Sequence, residues 1–213
     1  MHVDWDLEQA AAAILEETNQ GGFDVDIAAV ARRLGLTVSD GGKGCEGYLF
    51  GREIIVDETL PRPKWNFDVG HEVGHFDNQR HGRPDTEWSA NYLSSALLMP
   101  RDSAEVAIRR TGWDLFRLMS TFRSASGEAI ARRLYALRGA RVHIFDRPEG
   151  RELRSYAVPR RLRCLPVEQE AVDAAFAGGA PVEPYPGVHA WPLFQEGWQR
   201  VIVVSDPDSA ACA

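Results

Sequence analysis

Apolar residues recur at helical spacing along much of the chain. The first such run, residues 7–18, stops at a Gly-Gly pair and predicts an amphipathic helix. A second short helix is predicted from Ile27 to Leu34, because Asp26 is a suitable N-cap and Gly35 a suitable C-cap. The same spacing predicts further helices at residues 65–79, 87–98, 114–122 and 126–138.

Short runs rich in β-branched and aromatic residues predict strands. They cover residues 37–38, 47–50, 53–56, 142–145, 153–158 and 201–204. Only Gly51 and Arg52 separate the second run from the third, which predicts a tight hairpin. Between residues 158 and 201, glycines and prolines interrupt the chain and little periodicity remains, so we expect this part to be rich in loops.

Charged residues divide the chain, whose net charge is -7, into three blocks. Residues 1–100 hold 8 basic and 17 acidic side chains, residues 101–163 hold 15 and 7, and residues 164–213 hold 1 and 7. All 15 cations of the middle block are arginines, which bind oxyanions in bidentate fashion. Two interpretations follow: the arginines contact phosphates or an acidic protein surface, or they pair internally with the acidic flanks.

The two helices predicted at residues 114–122 and 126–138 have the length and the turn of a helix-turn-helix. Helical spacing places Arg132, Arg133 and Arg138 opposite the apolar residues, and we expect these side chains to project outward. Such a pattern is moderately specific for nucleic-acid binding. The alternative is a helical support for the rest of the protein.

Residues 71–75 read H-E-V-G-H and lie inside a predicted helix. Residues four apart share a helical face, so the imidazoles of His71 and His75 can reach one zinc ion at about 2.0 Å. Zinc lowers the pKa of a bound water from about 15.7 to about 7, and Glu72 lies next to that face as the base that accepts the proton. This arrangement is typical of a zinc metallopeptidase.

A catalytic zinc needs a third protein ligand and an open fourth position. His81 lies six residues after His75, but Asn78 occupies the place of the turn glycine in the longer motif that uses this spacing. Glu87 lies twelve residues after His75, at the start of the next predicted helix, from which it could face both histidines. The spacing alone leaves both candidates open.

Three smaller features accompany the motif. Gly70 and Gly74 lie four apart, which leaves a smooth helical face for another backbone or a substrate. Asn91 lies four residues after Glu87, and its amide either orients a metal ligand or serves as a buried polar group. The strand at residues 53–56 is either an ordinary internal strand or an edge strand that binds an extended peptide.

Cysteine usage and the length of the apolar runs indicate the compartment. Cys45, Cys164 and Cys212 are scattered and show no C-x-x-C spacing, which predicts free thiols and not metal ligands. The longest apolar runs are far shorter than the roughly 20 residues that span a bilayer. Residues 1–7 carry two aspartates and lack the basic start of a secretory signal. We therefore expect a cytoplasmic protein without a membrane partner.

Three segments of the chain carry a family resemblance: residues 66–75, which lead into H-E-V-G-H, residues 87–91, which read E-W-S-A-N, and residues 96–100, which read A-L-L-M-P. Together they resemble the ImmA/IrrE family of metallopeptidases, and the likeness extends over about residues 5–138. The resemblance implies that Glu87 is the third zinc ligand and that Glu72 is the catalytic base. It also implies that the substrate is a DNA-binding repressor cut at one site.

The sequence thus predicts an α+β protein in three parts. Residues 1–100 form a mostly helical, zincin-like metallopeptidase domain with a small β-sheet, residues 101–140 a helix-turn-helix-like segment, and residues 141–213 a small strand-containing region. The predicted function is a zinc metalloendopeptidase that holds one zinc ion and makes a site-specific cut in a regulatory protein. The expected partner is a helix-turn-helix repressor, and DNA is the less favoured partner. The alternative is a zinc-stabilised, arginine-rich regulator that binds DNA or a partner protein with little hydrolysis.

Overall fold

The computed structural model describes residues 3–149, 152–158, 162–195 and 198–210. The chain divides into two compact units, one from Val3 to Ile130 and one formed mainly by the residues from Ala131 onward. The three-part division made from the sequence stays a prediction.

Helices dominate the first unit and lie close to the predicted positions. The helices up to residue 138 are α1 (Trp5–Glu17), α2 (Ile27–Arg33), α3 (Arg62–Arg80), α4 (Glu87–Leu98), α5 (Arg101–Thr111), α6 (Leu115–Thr121) and α7 (Gly127–Arg138). Aspartates cap the first two. Asp4 accepts a hydrogen bond from Leu7 N at the start of α1, and Asp26 accepts one from Ala29 N at the start of α2. These caps fix where each helix begins because they satisfy backbone donors of the first turn.

The helix that carries H-E-V-G-H is α3, and it begins earlier than predicted. It starts at Arg62, whereas the sequence predicts a start at residue 65 because Pro61 and Pro63 precede it. Proline is tolerated in the first helical turn, where its missing N–H has no intrahelical acceptor. Pro63 therefore lies inside the helix.

A three-stranded sheet contacts α3. It consists of β1 (Thr37–Asp40), β2 (Tyr48–Phe50) and β3 (Glu53–Val56), in the order β1-β3-β2. Strand β1 is parallel to β3, and β2 is antiparallel to it. Since β3 has a neighbour on each side, the prediction of an internal strand at residues 53–56 is confirmed, and the edge-strand alternative is wrong. Strand β2 forms an edge of the described sheet.

Helices α3 and α4 approach each other closely at two glycines. A Cβ on Gly74 would lie 3.0 Å from both Cα and O of Ala90, and a Cβ on Gly70 would lie 2.7 Å from Ser94 Oγ. Ser94 Oγ also donates to Phe67 O at 2.7 Å. The smooth face predicted for these glycines therefore receives the backbone of α4 and not a substrate.

The second unit contains a five-stranded antiparallel sheet. Its strands are β4 (Arg141–Pro148), β5 (Arg154–Val158), β6 (Val182–Tyr185), β7 (Val188–Gln195) and β8 (Trp198–Ser205), in the order β5-β4-β8-β7-β6. Helix α8 (Pro166–Gly178) packs on β6, β7 and β8, and α9 (Pro207–Ala210) follows the last strand. Val172 and Ala175 of α8 share a buried core with Val201 and Val203 of β8.

The prediction that residues 159–200 are rich in loops is wrong, because α8, β6 and β7 lie there. Helix α8 has a short buried face that contains mainly alanine and valine, so its periodicity is weak. Pro166 occupies the first turn of α8, where proline is tolerated. Pro192 lies in β7 beyond the positions that pair with β6, where the sheet accommodates a residue without an N–H.

The two helices predicted after residue 113 are present as α6 and α7, which residues 122–126 separate. The expectation that three arginines of α7 project outward is wrong. Arg133 is 0% exposed, and Arg132 and Arg138 are half-buried. The guanidinium of Arg132 lies 5.9 Å from the centroid of the Tyr156 ring. Helical spacing fails here because the buried residues of α7 are not confined to one face. The two interpretations of the arginine block both stay predictions.

The chain is therefore an α+β protein, rich in helix, with two small sheets. None of the helices in the described part of the chain is both long and apolar enough to cross a membrane. The zincin-like and helix-turn-helix assignments stay predictions.

Candidate metal centre

Two adjacent helices present the candidate ligands. His71 and His75 lie one turn apart on α3, and Glu87 is the first residue of α4. Thr86 Oγ1 accepts from Ser89 N, and Ser89 Oγ accepts from Thr86 N, which fixes the start of α4. Together with the close helix contact at the two glycines, this cap brings Glu87 to both histidines across the intervening loop.

The three candidate ligand atoms lie at distances that suit one zinc ion. His71 Nε2 lies 2.9 Å from His75 Nε2 and 3.3 Å from Glu87 Oε2, and His75 Nε2 lies 3.6 Å from Glu87 Oε1. Two ligands of a tetrahedral zinc, each about 2.0–2.1 Å from the metal, lie about 3.3 Å apart. The observed distances bracket this value, and two imidazoles with one carboxylate are a known donor set of catalytic zinc. The residues present therefore fit the metal.

The hydrogen-bond partners of the two imidazoles agree with this fit. His71 Nδ1 lies 3.1 Å from Asn91 Oδ1, and His75 Nδ1 lies 2.6 Å from Asp85 Oδ1. Both partners are acceptors, so each imidazole carries its proton on Nδ1 and directs its Nε2 lone pair toward the other ring. Two lone pairs 2.9 Å apart repel each other unless a cation lies near them. Burial and the neighbouring His75 lower the pKa of His71, which favours the neutral form of this imidazole.

Asp85 is a residue of the site that the sequence analysis missed. Its second carboxylate oxygen accepts from Gln79 Nε2 at 2.8 Å, so the carboxylate is held between Gln79 and His75. Burial raises the pKa of Asp85, but the hydrogen bonds from Gln79 and His75 outweigh it, and the pKa lies below its usual range. Carboxylates often orient histidine ligands in this way. An acidic residue in the loop before the second ligand helix was the available signal.

Asn91 contacts a candidate ligand as one of its two predicted roles requires. Its Oδ1 contacts Nδ1 of His71, just as Oδ1 of Asp85 contacts Nδ1 of His75. His81 lies elsewhere, directly after the last turn of α3, with its Nδ1 3.1 Å from Asp77 Oδ1. Among the described residues, the group of potential metal ligands at this motif contains Glu87 and does not contain His81.

Glu72 lies beside the imidazoles in a nearly closed environment. It is 5% exposed, and this burial raises the pKa of its carboxyl group. The backbone N–H of Leu49 donates to the carboxylate. A Cβ on Gly47 would lie 3.7 Å from Glu72 Oε1, so the chain entering β2 passes close to this group. A carboxyl group with a raised pKa is suited to transferring protons near neutral pH.

A cavity of about 440 Å³ opens beside His71 and Glu72. Its other walls come from the loop at residues 44–47, from the connection between β3 and α3, and from the first half of α3. Asp57 fixes that loop, because its carboxylate accepts from Gly44 N at 2.6 Å and from Thr59 Oγ1 at 2.6 Å. The bonds from Thr59 and Gly44 also lower the pKa of Asp57. The cavity is large enough for side chains of a bound peptide.

Residues 24–135, just over half of the chain, match the model of a peptidase family described as the IrrE N-terminal-like domain. The chain belongs to this family. The matched residues include all three segments on which the ImmA/IrrE resemblance rests, so that prediction is confirmed.

The IrrE-like chain also resembles a solved structure described as a Mycobacterium tuberculosis transcriptional regulator. The two share 17% sequence identity with a TM-score of 0.71, and the match covers 98% of this chain and 78% of that chain. At this identity the likeness concerns the fold. No curated protein matches this chain significantly.

Other residues of the IrrE-like motif hold the helices in place. Asn66 Nδ2 donates to Ser124 O at 3.0 Å, which ties α3 to the turn after α6. Leu97, Leu98 and Met99 are buried where α4 ends. The family pattern in this chain therefore marks core positions as well as the chemical groups.

Proposed function

We propose that this member of the IrrE-like family is a zinc metalloendopeptidase. In this proposal His71, His75 and Glu87 hold one zinc ion, and Glu72 is the general base. The observation that supports it best is the convergence of three ligand atoms, 2.9–3.6 Å apart, from two different helices. Both Nε2 lone pairs face the same point, which suits a cation.

The residues around the proposed zinc have separate tasks in peptide hydrolysis. Bound zinc would supply an activated water and polarise the scissile carbonyl. Glu72 accepts the proton of the attacking water and later donates it to the leaving nitrogen. Its raised pKa suits both transfers, because the carboxylate is a stronger base than an ordinary glutamate, and a pKa closer to neutral also lets the protonated group act as an acid. Asp85 and Asn91 bind the Nδ1 atoms and so hold the two imidazoles in the orientation that points each Nε2 at the metal site.

The surroundings of Glu72 favour an extended substrate. Strand β2 pairs only with β3 in the described sheet, which leaves one strand edge open. A peptide added to that edge would pass beside Glu72, because Leu49 of β2 donates its N–H to that carboxylate. An open edge accepts the middle of a chain as readily as its end. We therefore favour an endopeptidase over an exopeptidase.

We further propose that the substrate is a helix-turn-helix repressor, cut at one site in the cytoplasm. The family resemblance implies such a substrate. A single cut is expected in an exposed segment between folded parts of the repressor, because only an extended backbone can add to the edge of β2.

The test compares three forms of the zinc-loaded protein on repressors encoded near its own gene. Wild type and Glu58→Gln, a matched change at an exposed glutamate, should each release one defined pair of fragments in mass spectrometry. Glu72→Gln keeps the shape of the side chain but removes the base. It should retain zinc and fold while cleavage slows by about 100-fold or more. Undiminished cleavage by Glu72→Gln would mean that another residue transfers the proton.

A second candidate function is a zinc-stabilised, arginine-rich regulator with little hydrolysis. The shared fold with a protein described as a transcriptional regulator favours it. The presence of Glu72 and the burial of Arg133 weigh against it, since a structural zinc needs no base and a buried guanidinium reaches no phosphate. If no repressor is cut and tight, salt-sensitive DNA binding appears, the regulator replaces the peptidase.

A further inference from the structure

The second unit contains another group of metal-binding side chains. His143 Nε2, Cys164 Sγ and a carboxylate oxygen of Glu168 all lie within 4.8 Å of one another. They come from β4, from the segment before α8 and from the first turn of α8. None of them belongs to the candidate metal centre on α3 and α4.

The two carboxylate oxygens of Glu168 have different surroundings. Oε1 accepts from Arg141 Nε at 2.8 Å and from Ser205 Oγ at 2.5 Å. Oε2 accepts from Leu165 N at 2.7 Å and from Arg141 Nη2 at a longer 3.2 Å. The same Oε2 lies 3.2 Å from His143 Nε2. The carboxylate is therefore held through both oxygens, and Oε2 is the one that lies next to the imidazole.

The imidazole of His143 is buried without an aligned partner at Nε2. The residue is 4% exposed, and Nε2 makes no hydrogen bond although Glu168 Oε2 is at ion-pair distance. The two atoms are close, but the ring N–H direction misses the oxygen. A buried polar atom without a hydrogen bond is unfavourable and calls for a partner. Two ligands of one tetrahedral zinc show this geometry, about 3.3 Å apart, because both point at the metal and not at each other.

We propose that His143, Cys164 and Glu168 bind a second zinc ion, which links β4 to the start of α8. Zinc accepts nitrogen, thiolate sulfur and carboxylate oxygen in one site. The thiolate and the carboxylate supply two negative charges, and Arg141, which donates to both carboxylate oxygens, adds one positive charge beside them.

Access and charge balance suit this site. Cys164 is exposed, so an ion can enter from its side although the other two ligands are buried. The thiol proton leaves to solvent as the Zn–S bond forms, and no oxidant or reductant is needed. The site shares no residue with the proposed peptidase centre, so each proposal can fail without the other.

The test uses full-length protein under reducing conditions and a background in which His71→Ala and His75→Ala remove the candidate metal centre. This double variant should bind one equivalent of zinc by elemental analysis. With cobalt(II) it should show the near-ultraviolet absorption of a thiolate-to-cobalt charge transfer. Adding Cys164→Ser should abolish both signals. Adding Cys45→Ser, the matched change at the other free thiol among the described residues, should leave both intact.

Two results would overturn the second site: no cobalt–thiolate absorption in the double variant, or an absorption that survives Cys164→Ser. A measurement without a ligand mutation guards against misfolding. In the double variant, zinc should slow the alkylation of Cys164 at least 10-fold, as mapped by mass spectrometry, while Cys45 reacts at an unchanged rate. Equal alkylation rates of Cys164 with and without zinc would contradict the proposal and would mean that the cluster around Glu168 is an ion-pair network without a metal.

Discussion

Hydrogen bonds hold different groups in the two clusters of potential metal ligands. At the candidate metal centre, Asp85 and Asn91 fix the imidazoles, while the Glu87 side chain is 81% exposed. In the second unit the carboxylate is the fixed group, because Glu168 is 0% exposed and paired with Arg141. Similar donor types are therefore arranged in opposite ways.

This contrast separates a site suited to turnover from one suited to holding structure. At the first cluster, an exposed carboxylate ligand, a buried base and an adjoining cavity leave room for a substrate to approach. At the second, the carboxylate joins a strand, a helix start and the end of another strand, through Arg141, Leu165 and Ser205. The two clusters contain similar residue types. They differ mainly in which ligand hydrogen bonds hold in place and which ligand is left free to move.

The largest effect is expected from removing the ligands of the first cluster. His71→Ala, His75→Ala and Glu87→Ala should each lose one equivalent of zinc and the peptidase activity with it, because two remaining protein ligands bind zinc weakly. Elemental analysis of the dialysed proteins measures this, and His81→Ala serves as the control that keeps its metal. An unchanged zinc content in Glu87→Ala, together with the loss of one equivalent from His81→Ala, would make the choice of third ligand wrong.

The next largest effect concerns the fixed carboxylate of the second cluster. Glu168→Gln, measured with a chelator present, should destabilise the second unit by about 3 kcal/mol, because it leaves the partly buried Arg141 without its anion. Burial raises the pKa of Glu168, but the nearby imidazole of His143 and the hydrogen bonds from Arg141 and Leu165 outweigh it and hold the pKa far below its usual range.

The sign of the pH dependence follows from that lowered pKa. The stabilisation by Glu168 is complete above the pKa of an unfolded glutamate, about 4.3, and is lost as the pH falls below it. Urea unfolding at neutral and acidic pH measures both effects, with the exposed Glu170→Gln as control. Equal stability of Glu168→Gln and wild type at neutral pH would remove the contrast between the clusters.

A smaller effect is expected where hydrogen bonds fix the imidazoles. Asp85→Asn should weaken zinc binding about 10- to 100-fold, in the range of other residues that orient a ligand. Asn91→Ala should weaken it less, because a neutral amide binds an imidazole N–H less strongly than a carboxylate does. Competition with a chromophoric chelator gives the affinities, and the exposed Asp102→Asn is the control. An unchanged affinity in Asp85→Asn would show that helix packing alone positions His75.

The smallest effect tests how the helices place the first cluster. Alanine favours a helix by about 1 kcal/mol over glycine, whereas overlap in a packed core costs about 1–3 kcal/mol. In Gly74→Ala the new Cβ would lie 3.0 Å from the backbone of Ala90. The cost of this overlap should exceed the gain in helix propensity, so the free energy of unfolding should fall by about 1 kcal/mol. In Gly70→Ala it meets first the Ser94 hydroxyl, which can rotate, so stability should change little. Thermal unfolding measures both variants, and a Gly74→Ala protein more stable than Gly70→Ala would contradict the prediction.

The helices and the first cluster were largely predictable because their signals are local. The spacing of His71 and His75 places both on one helical face whatever the rest of the chain does. The caps of α1 and α2 and the end of α4 before Pro100 likewise depend on neighbouring residues only. The assignment of Glu87 needed the family pattern, because spacing alone left His81 equally available.

Tertiary structure alone decided the contacts between distant segments. Asp85 reaches His75 because the loop returns along α3, and Arg133 is buried because α7 is covered on more than one side. Cys164 lies beside His143 because α8 packs on the sheet. The sequence analysis did not predict α8, because its alanines and the prolines around it give little helical periodicity. A sequence specifies which side chains share one helix or strand through a fixed repeat, whereas contacts between elements depend on packing that no local repeat encodes.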